Sequence, residues 1–162
     1  MADEKITSIM QDFVKTMAEG DMEKTLSFFT EDAVWINPNG TFSGKNELRR
    51  YLMVMFETMQ DVSITECGNG IIAQENKAFF EHTIAGTIDG KRGEVLALCA
   101  YEFSGDKIQE VRTTYDRISI AKQAAKGIGK WMVNQIVKQM EKGLHKLSIK
   151  PRELLHFPHY CM

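Results

Sequence analysis

A strand pattern and a candidate catalytic carboxylate occur together in the stretch Gly105-Asp-Lys-Ile-Gln-Glu-Val-Arg-Thr-Thr-Tyr-Asp-Arg-Ile-Ser-Ile120. After the turn at Ser104-Gly105-Asp106 the side chains alternate, with the period of two expected of a β-strand. The polar face carries Glu110, Arg112, Thr114 and Asp116. The mixed, more apolar face carries Val111, Thr113 and Tyr115. If the polar face looks into a protected cavity, Asp116 is a general base or a hydrogen-bond anchor; if it looks outward, Asp116 is solvated surface.

Composition indicates one globular domain followed by a tail. The chain has 162 residues, of which 43% are hydrophobic and 26% are charged, enough for one filled core and short for two. Its cysteines, Cys67, Cys99 and Cys161, are odd in number and lack zinc-type pairing, which favours a reducing, cytoplasmic setting. The N-terminus lacks the basic start of a signal peptide, and no apolar run approaches a membrane span.

Charge divides the chain into two parts. Residues 1–119 hold 12 Lys and Arg against 20 Asp and Glu, whereas residues 120–162 hold 8 against 2. The body is therefore acidic, with a balance of −8, and the tail is basic, with a balance of +6. Such a tail is expected to dock on the body or to meet an anionic partner.

Three helices are predicted before the main strands. The first carries the apolar stripe Ile6, Ile9, Met10, Phe13, Val14 and Met17, and it stops at Gly20. Asp21 is expected to cap a short second helix that reaches Phe29. A β-prone run, 33–36, then ends at the turn 37–40. A third helix opens at Ser43-Gly44 and carries the stripe Leu48, Tyr51, Leu52, Met55, Phe56 and Met59.

Long strands follow the third helix. A bulge is predicted at Gly68-Asn69-Gly70, where glycine accepts irregular dihedral angles. Hairpins are expected at 74–77, Asp89-Gly90 and 104–106. The order predicts an α+β fold, with helices on one side of a curved antiparallel sheet.

Four motifs resemble the nuclear transport factor 2-like superfamily, in particular its SnoaL-like polyketide cyclase branch. They are Gly20-Asp21, the run from Phe29 to Pro38, Thr41-Phe-Ser-Gly44 and Ile108-Gln-Glu-Val-Arg-Thr-Thr-Tyr-Asp116, and the resemblance spans Ile6 to Ile120. The resemblance implies a cone-shaped, cystatin-like curved sheet with helices packed on its concave face and an apolar pocket inside. Its members include isomerases, dehydratases, cyclases, epoxide hydrolases and non-catalytic binders.

The resemblance removes two mechanisms. Ketosteroid isomerases use an Asp, a Tyr and a second acid, and the matching positions here are Asn37, Phe13 and Cys99, which cannot do that chemistry. Limonene epoxide hydrolases pair an Asp like Asp116 with an Arg and a second Asp on an earlier strand, where this chain has His82 and Ile84. Hydrolysis by that route is therefore disfavoured.

A SnoaL-type cyclase needs a single carboxylate to take a proton beside a carbonyl, and Tyr115-Asp116 matches that motif. The resemblance thus implies Asp116 as the base, with His82 as a second catalytic candidate. Arg112, Tyr101, Asn37, Trp35 and Tyr51 are the candidate ligand-binding residues. The alternatives remain that Asp116 caps the next helix or pairs with Arg112, and that His82 is a core histidine among Phe80, Ile84 and Ile88.

The function predicted from these residues is binding of a small apolar carbonyl compound in the cone, with general-base cyclisation, isomerisation or lyase chemistry as its catalytic form. A non-catalytic binder of lipophilic ligands is the alternative. No cofactor and no metal are expected. His156, His159 and Cys161 offer only three soft ligands in a terminal segment, too few for a metal claim.

The sequence of the tail indicates a basic amphipathic helix over 120–147. The predicted division of the chain is therefore a cone domain at 1–119, this helix, and a terminal segment at 148–162. Apolar residues recur every four positions from Ala124 to Leu144, lysines occupy the other side, and Gly127 and Gly129 mark a candidate hinge. The favoured interpretation is docking on the acidic body or on a partner subunit of a homodimer. A membrane-surface helix is the alternative. Nucleic acid is disfavoured, because aromatics are few and no reader module is present.

Overall fold

The computed structural model describes residues 2–145, with side chains described for 3–142. Within this range the helices are α1 (Ala2–Glu19), α2 (Met22–Ser27), α3 (Gly44–Thr58), α4 (Arg117–Ala124) and α5 (Gly127–His145). The strands are β1 (Phe29–Asn37), β2 (Gly40–Ser43), β3 (Gln60–Gln74), β4 (Lys77–Ile88), β5 (Lys91–Ser104) and β6 (Lys107–Tyr115). The predicted terminal segment at 148–162, with the last two residues of the predicted tail helix, lies outside the described residues. No described helix is long and apolar enough to cross a membrane.

The strands form one curved sheet in the order β2-β1-β6-β5-β4-β3. Neighbouring strands are antiparallel except β1 and β6, which are parallel, with Trp35 beside Val111. The helix stripes predicted for α1 and α3 pack on the concave side of this sheet. Met10, Phe13 and Leu52 are almost fully buried there with Phe29 and Phe80 of the sheet. The predicted α+β cone is therefore confirmed.

Irregular backbone positions account for the curvature and the tight hairpins. Gly68 and Gly70 adopt positive φ angles of 54° and 59°, where the β3–β4 register shifts as predicted. The Glu81 carboxylate accepts hydrogen bonds from the Asn69 backbone N–H (3.0 Å) and side-chain amide (3.1 Å) at this bulge. At the β4–β5 hairpin, Asp89 and Gly90 both have positive φ, the pairing that a tight turn with the right twist requires.

Two predicted boundaries were wrong near the N-terminal half of the chain. Phe29 begins β1 rather than ending α2, because Phe28 closes α2 and Phe29 pairs with Ile108 of β6. The turn after Asn37 does not lead directly into α3, since Gly40–Ser43 first forms β2 against β1. Ser43 then occupies the N-cap position of α3, and its backbone N–H donates to the Glu47 carboxylate at 2.7 Å.

The tail helix predicted over 120–147 is divided into two helices, and the break lies beside Gly127, the first residue of the predicted hinge. α4 begins directly after β6, because the Asp116 side chain caps it, and it ends where Ala125 takes an extended conformation. Gly127, with a φ of 52°, then restarts the chain as α5. α4 packs on β5, and α5 extends from α4 instead of packing across the acidic body.

A side chain fastens α4 to the sheet. β6 pairs with β5 only as far as Ala97, so the backbone of Glu94 lacks a β6 partner. The Gln123 side chain takes that place: its oxygen accepts from the Glu94 N–H at 2.8 Å, and its amide donates to the Glu94 carbonyl at 2.7 Å. α4 thereby closes the side of the cone where β6 ends.

Candidate functional site

A cavity of about 470 Å³ lies inside the cone. α1, α3 and α4 wall it on one side with Phe13, Met17, Met55, Ile120 and Ala121. The sheet contributes inward side chains of β1, β3, β4, β5 and β6, which alternate with outward ones as the period of two requires. Most of the lining is apolar, and its polar atoms come from a few tyrosines, His82, Cys99, Asn39, two threonines and Arg117.

His82 projects from β4 into this cavity and is only 3% exposed. Its ring stacks on Phe80 two residues earlier, with the ring centres 4.0 Å apart. Nδ1 lies 3.3 Å from the Phe80 carbonyl oxygen, which can only accept, so this nitrogen carries the proton and Nε2 keeps a lone pair. Burial lowers the pKa of His82 to about 4, and the imidazole is therefore neutral near pH 7.

Beside His82, β5 and β6 form a chain of uncharged polar groups. Thr113 Oγ1 lies 3.2 Å from Cys99 Sγ and accepts a 3.0 Å hydrogen bond from the Trp35 indole N–H. Burial raises the pKa of the Cys99 thiol, and burial together with Cys99 raises the pKa of Tyr101 well above its ordinary value. Both side chains therefore keep their protons, and Tyr101 presents a hydroxyl donor in an apolar setting.

A second cluster of polar side chains lies where β1 and β6 end. The Asn39 amide donates to the Tyr115 hydroxyl at 2.9 Å. Tyr51 of α3 stacks on Phe42 and meets the edge of Trp35, and burial, with a smaller contribution from Tyr115, raises its pKa to about 12. These hydroxyls also stay protonated at neutral pH.

Asn37 shapes this end of the cone without lining the cavity. Its side-chain oxygen accepts from the Asn39 backbone N–H at 2.8 Å, which closes the turn between β1 and β2. The side chain is buried, and Nδ2 finds no hydrogen-bond partner among residues 3–142. Trp35, Tyr51 and Tyr101, three of the five residues predicted to bind the ligand, line the cavity.

Asp116 and Arg112 lie away from the cavity lining. The Asp116 side chain is exposed and accepts from the Ile118 backbone N–H at 2.8 Å, so it serves as the N-cap of α4. Arg112 lies on the outer face of the sheet, where it pairs with Glu102 at 3.0 Å and Glu110 at 2.5 Å. The polar face of β6 therefore lies outside the cone. The opposite face of β6, which carries Thr113 and Tyr115, lies inside it.

Several lining residues were not proposed from the sequence as ligand contacts. Thr113 and Tyr115 could have been found from the alternation that puts them opposite Asp116, because the more apolar face of a half-buried strand normally points inward. Cys99 sits two residues before Tyr101 on the same face of β5. Asn39 and Arg117 had no such signal, since a turn and a helix start bring them to the cavity.

The lining of the cavity carries little charge. Among the described residues that line the cavity, none is an Asp or a Glu, and Arg117 is the cation. An Arg117 guanidinium N–H donates to the Pro38 carbonyl at 2.9 Å. Over the described side chains, no cluster of three His, Cys, Asp or Glu could hold a metal ion. Proton transfer or hydrogen bonding by neutral groups is the chemistry that this lining can offer.

Comparison with family models gives a match over residues 10–111 to the SnoaL-like domain. The chain belongs to the SnoaL-like domain family. This confirms the predicted resemblance, and the match includes every strand that lines the cavity as far as Val111. Curated protein sequences gave no significant match to this SnoaL-like chain.

Solved structures agree on the fold. A nuclear transport factor 2-like protein from Burkholderia xenovorans aligns with a TM-score of 0.64 and 22% identity, over 77% of this chain and 99% of its own. PrhC from Penicillium brasilianum aligns with a TM-score of 0.67 and 19% identity, over 80% of this chain and 96% of its own. An LEH-like epoxide hydrolase from M. tuberculosis aligns with a TM-score of 0.67 and 16% identity, over 83% of this chain and 99% of its own. At these identities the similarity shows the shared cone and not a shared reaction.

Proposed function

We propose that the SnoaL-like cone binds a small apolar molecule that carries a carbonyl group. The observation that carries this proposal is the cavity of about 470 Å³, whose lining, as far as residues 3–142 form it, is mostly apolar and contains no carboxylate. Concave, largely apolar sites with a few convergent polar groups are the usual form of small-molecule sites. The apolar wall supplies the driving force, and the polar groups fix the orientation of the ligand.

The polar groups favour a hydrogen-bond acceptor over a cation. Tyr101 and Tyr51 keep their hydroxyl protons because burial raises the pKa of each. A carbonyl oxygen in the cavity can accept from such a hydroxyl, whereas a buried ammonium group would find no carboxylate among the lining residues. The match is therefore to a ligand that carries an acceptor oxygen and no positive charge.

Catalysis is the second candidate, and the observation that favours it is His82. Its Nε2 lone pair in the cavity can take a proton from a carbon beside the carbonyl, while the Tyr101 hydroxyl donates to the oxygen that becomes the enolate. A pKa of about 4 makes this imidazole a weak base, roughly three units below the optimum for work near pH 7. This difference ranks binding above turnover.

Ligand binding is measured with 4-phenylcyclohexanone and its matched hydrocarbon, phenylcyclohexane. The readout is Trp35 fluorescence in a Trp131→Phe variant, because Trp35 lines the cavity and the other tryptophan lies on α5. We expect both probes to change the emission and the ketone to bind roughly tenfold more tightly, the worth of one net hydrogen bond. Tyr101→Phe should remove most of that difference.

Arg112→Gln is the control, since Arg112 lies on the outer face of the sheet and should leave binding unchanged. Loss of ketone binding in Arg112→Gln would instead support its predicted ligand contact. An emission that neither probe alters would overturn the proposed binding function.

Catalysis is measured separately by deuterium exchange at the carbon next to the carbonyl of the same ketone in D₂O. If His82 is the base, His82→Gln loses the acceleration and Asp116→Asn keeps it. If Asp116 is the base, as the resemblance implies, the two results are reversed. A wild-type rate equal to that of buffer would leave the protein a binder without this activity.

A further inference from the structure

The apolar face of α5 is uncovered. In the described part of the chain nine large hydrophobic side chains are exposed, and α5 carries five of them: Ile128, Trp131, Met132, Ile136 and Met140. Each keeps between 50% and 79% of its surface accessible. Scattered exposed hydrophobics are ordinary, but Ile128, Met132, Ile136 and Met140 recur every four positions along one side of α5, which indicates a surface that meets something else.

The body of the protein does not require this helix for its core. Among the described side chains, the buried core residues run from Ile6 to Val111 and include none from α5. α5 packs against α4, and Lys126 just before it donates to the Asp89 carbonyl at 3.0 Å. The helix is thus attached to the cone at its start and presents its apolar face away from the core.

The distribution of side chains around α5 is that of an interfacial helix. Ile128, Met132, Ile136 and Met140 are four apart, so they drift about 40° per step and cover one broad side of the helix. Lys130, Lys138 and Lys142 occupy the remaining arc, and Trp131 lies between the last two of them in projection. α5 holds these three lysines against a single acidic residue, Glu141.

We propose that α5 lies in the plane of an anionic lipid surface, with its apolar row in the acyl boundary and its lysines at the phosphates. A broad apolar side with basic residues opposite is the signature of helices that lie on membranes, and Trp favours the headgroup level. This function is separate from ligand binding in the cone.

A second copy of the chain fits the observations less well. Two α5 faces brought together would join helices that each carry an excess of positive charge. The exposed apolar residues of the body, Ile36, Met53, Val54 and Ile72, lie on three separate elements and do not form a row that matches α5. Anionic lipid complements both the apolar row and the charge.

The test is co-sedimentation of the full-length protein with vesicles of phosphatidylcholine containing about one-third phosphatidylglycerol, compared with phosphatidylcholine alone. We expect binding to the anionic vesicles, little to the neutral ones, and release at high salt. Ile136→Glu should weaken partitioning roughly tenfold or more, because it places a charge in the apolar row. Each of Lys138→Gln and Lys142→Gln should weaken it roughly fivefold.

The matched control is Ile72→Glu, the same chemical change at a side chain 51% exposed on β3, against 50% for Ile136. This variant should bind vesicles as the wild type does. Trp131 emission, read in a Trp35→Phe variant, should shift to shorter wavelength with anionic vesicles and report insertion directly.

Three results overturn the proposal: absence of vesicle binding by the wild type, equal binding to neutral and anionic vesicles, or equal loss in Ile72→Glu and Ile136→Glu. A lipid-free dimer that Ile136→Glu converts to monomer, without vesicle binding, would identify α5 as an interface between copies.

Discussion

The imidazole of His82 is held neutral by its burial, and this makes the stability of the fold depend on pH. In the unfolded chain a histidine gains its proton near pH 6.5, whereas in the folded chain His82 gains it near pH 4. Between these values the unfolded state binds more protons, so the free energy of unfolding falls as the pH falls from 6.5 to 4. The expected loss in the free energy of unfolding between pH 6.5 and pH 4 is on the order of 3 kcal/mol. Above pH 6.5 His82 is neutral in both states and nothing is lost.

Urea denaturation of the wild type and of His82→Gln across this pH range measures the effect. Carboxylates elsewhere titrate in both proteins, so the difference between the two isolates His82. The stability advantage of the wild type, whatever its size at neutral pH, should shrink as the pH falls. A difference that is constant with pH would show that the folded His82 titrates like an unfolded one.

Asp116 is expected to act through its cap on α4 rather than through its charge alone. Asp116→Ala removes the side-chain oxygen that accepts from the Ile118 N–H and should lower the free energy of unfolding by about 1 kcal/mol. Asn is an equally good N-cap, so Asp116→Asn should cost far less. Thermal and urea unfolding of both variants checks this order, and equal losses in the two would assign the effect to the carboxylate charge.

At the scale of elements, the junction of α3 and β3 depends on a glycine of β4. A Cβ built on Gly86 would lie 2.5 Å from Met59 Cγ and 2.8 Å from its sulfur, and the Gln60 carbonyl is 3.3 Å away. Gly86→Ala should therefore push Met59 aside and lower the free energy of unfolding by about 1 to 3 kcal/mol, the usual cost of overpacking. Urea denaturation measures it.

A double-mutant cycle supplies the control for Gly86. If the Met59 side chain is the obstacle, Met59→Ala combined with Gly86→Ala should cost less than the sum of the two single changes. Additive costs would place the strain in the Gln60 backbone instead.

Elements with a clear period were predictable, and those fixed by tertiary pairing were not. The stripes of α1 and α3 and the alternation of β4 and β5 follow from local sequence, because their apolar faces must be buried. β2 has four residues and exists only because β1 lies beside it. The break between α4 and α5 was predictable in part: Gly127, one of the two glycines expected to mark a hinge, has a φ of 52° there, whereas the extended Ala125 before it had no signal in the sequence.

For the molecule as a whole, the cone and its cavity were predictable while the orientation of one strand was not. The sequence supplies both faces of β6 but not the direction in which either points; the pairing of β6 between β1 and β5 decides that. This pairing turns Thr113 and Tyr115 inward and leaves Arg112 on the outer face. The motif predicts Asp116 as the general base, but its position at the end of β6 makes it the N-cap of α4.

The cone should fold without α5. A chain that ends at Ala125 keeps every buried core residue and the Gln123 contacts that hold α4 on β5, and it loses the Lys126 hydrogen bond to Asp89. We expect its free energy of unfolding to change by less than about 1 kcal/mol, the range of exposed polar contacts. Urea denaturation and 4-phenylcyclohexanone binding measure fold and cavity in parallel. A large loss of stability would show that residues beyond 125 contribute to the core, and sedimentation equilibrium of both lengths would show whether the predicted homodimer forms and whether it needs α5.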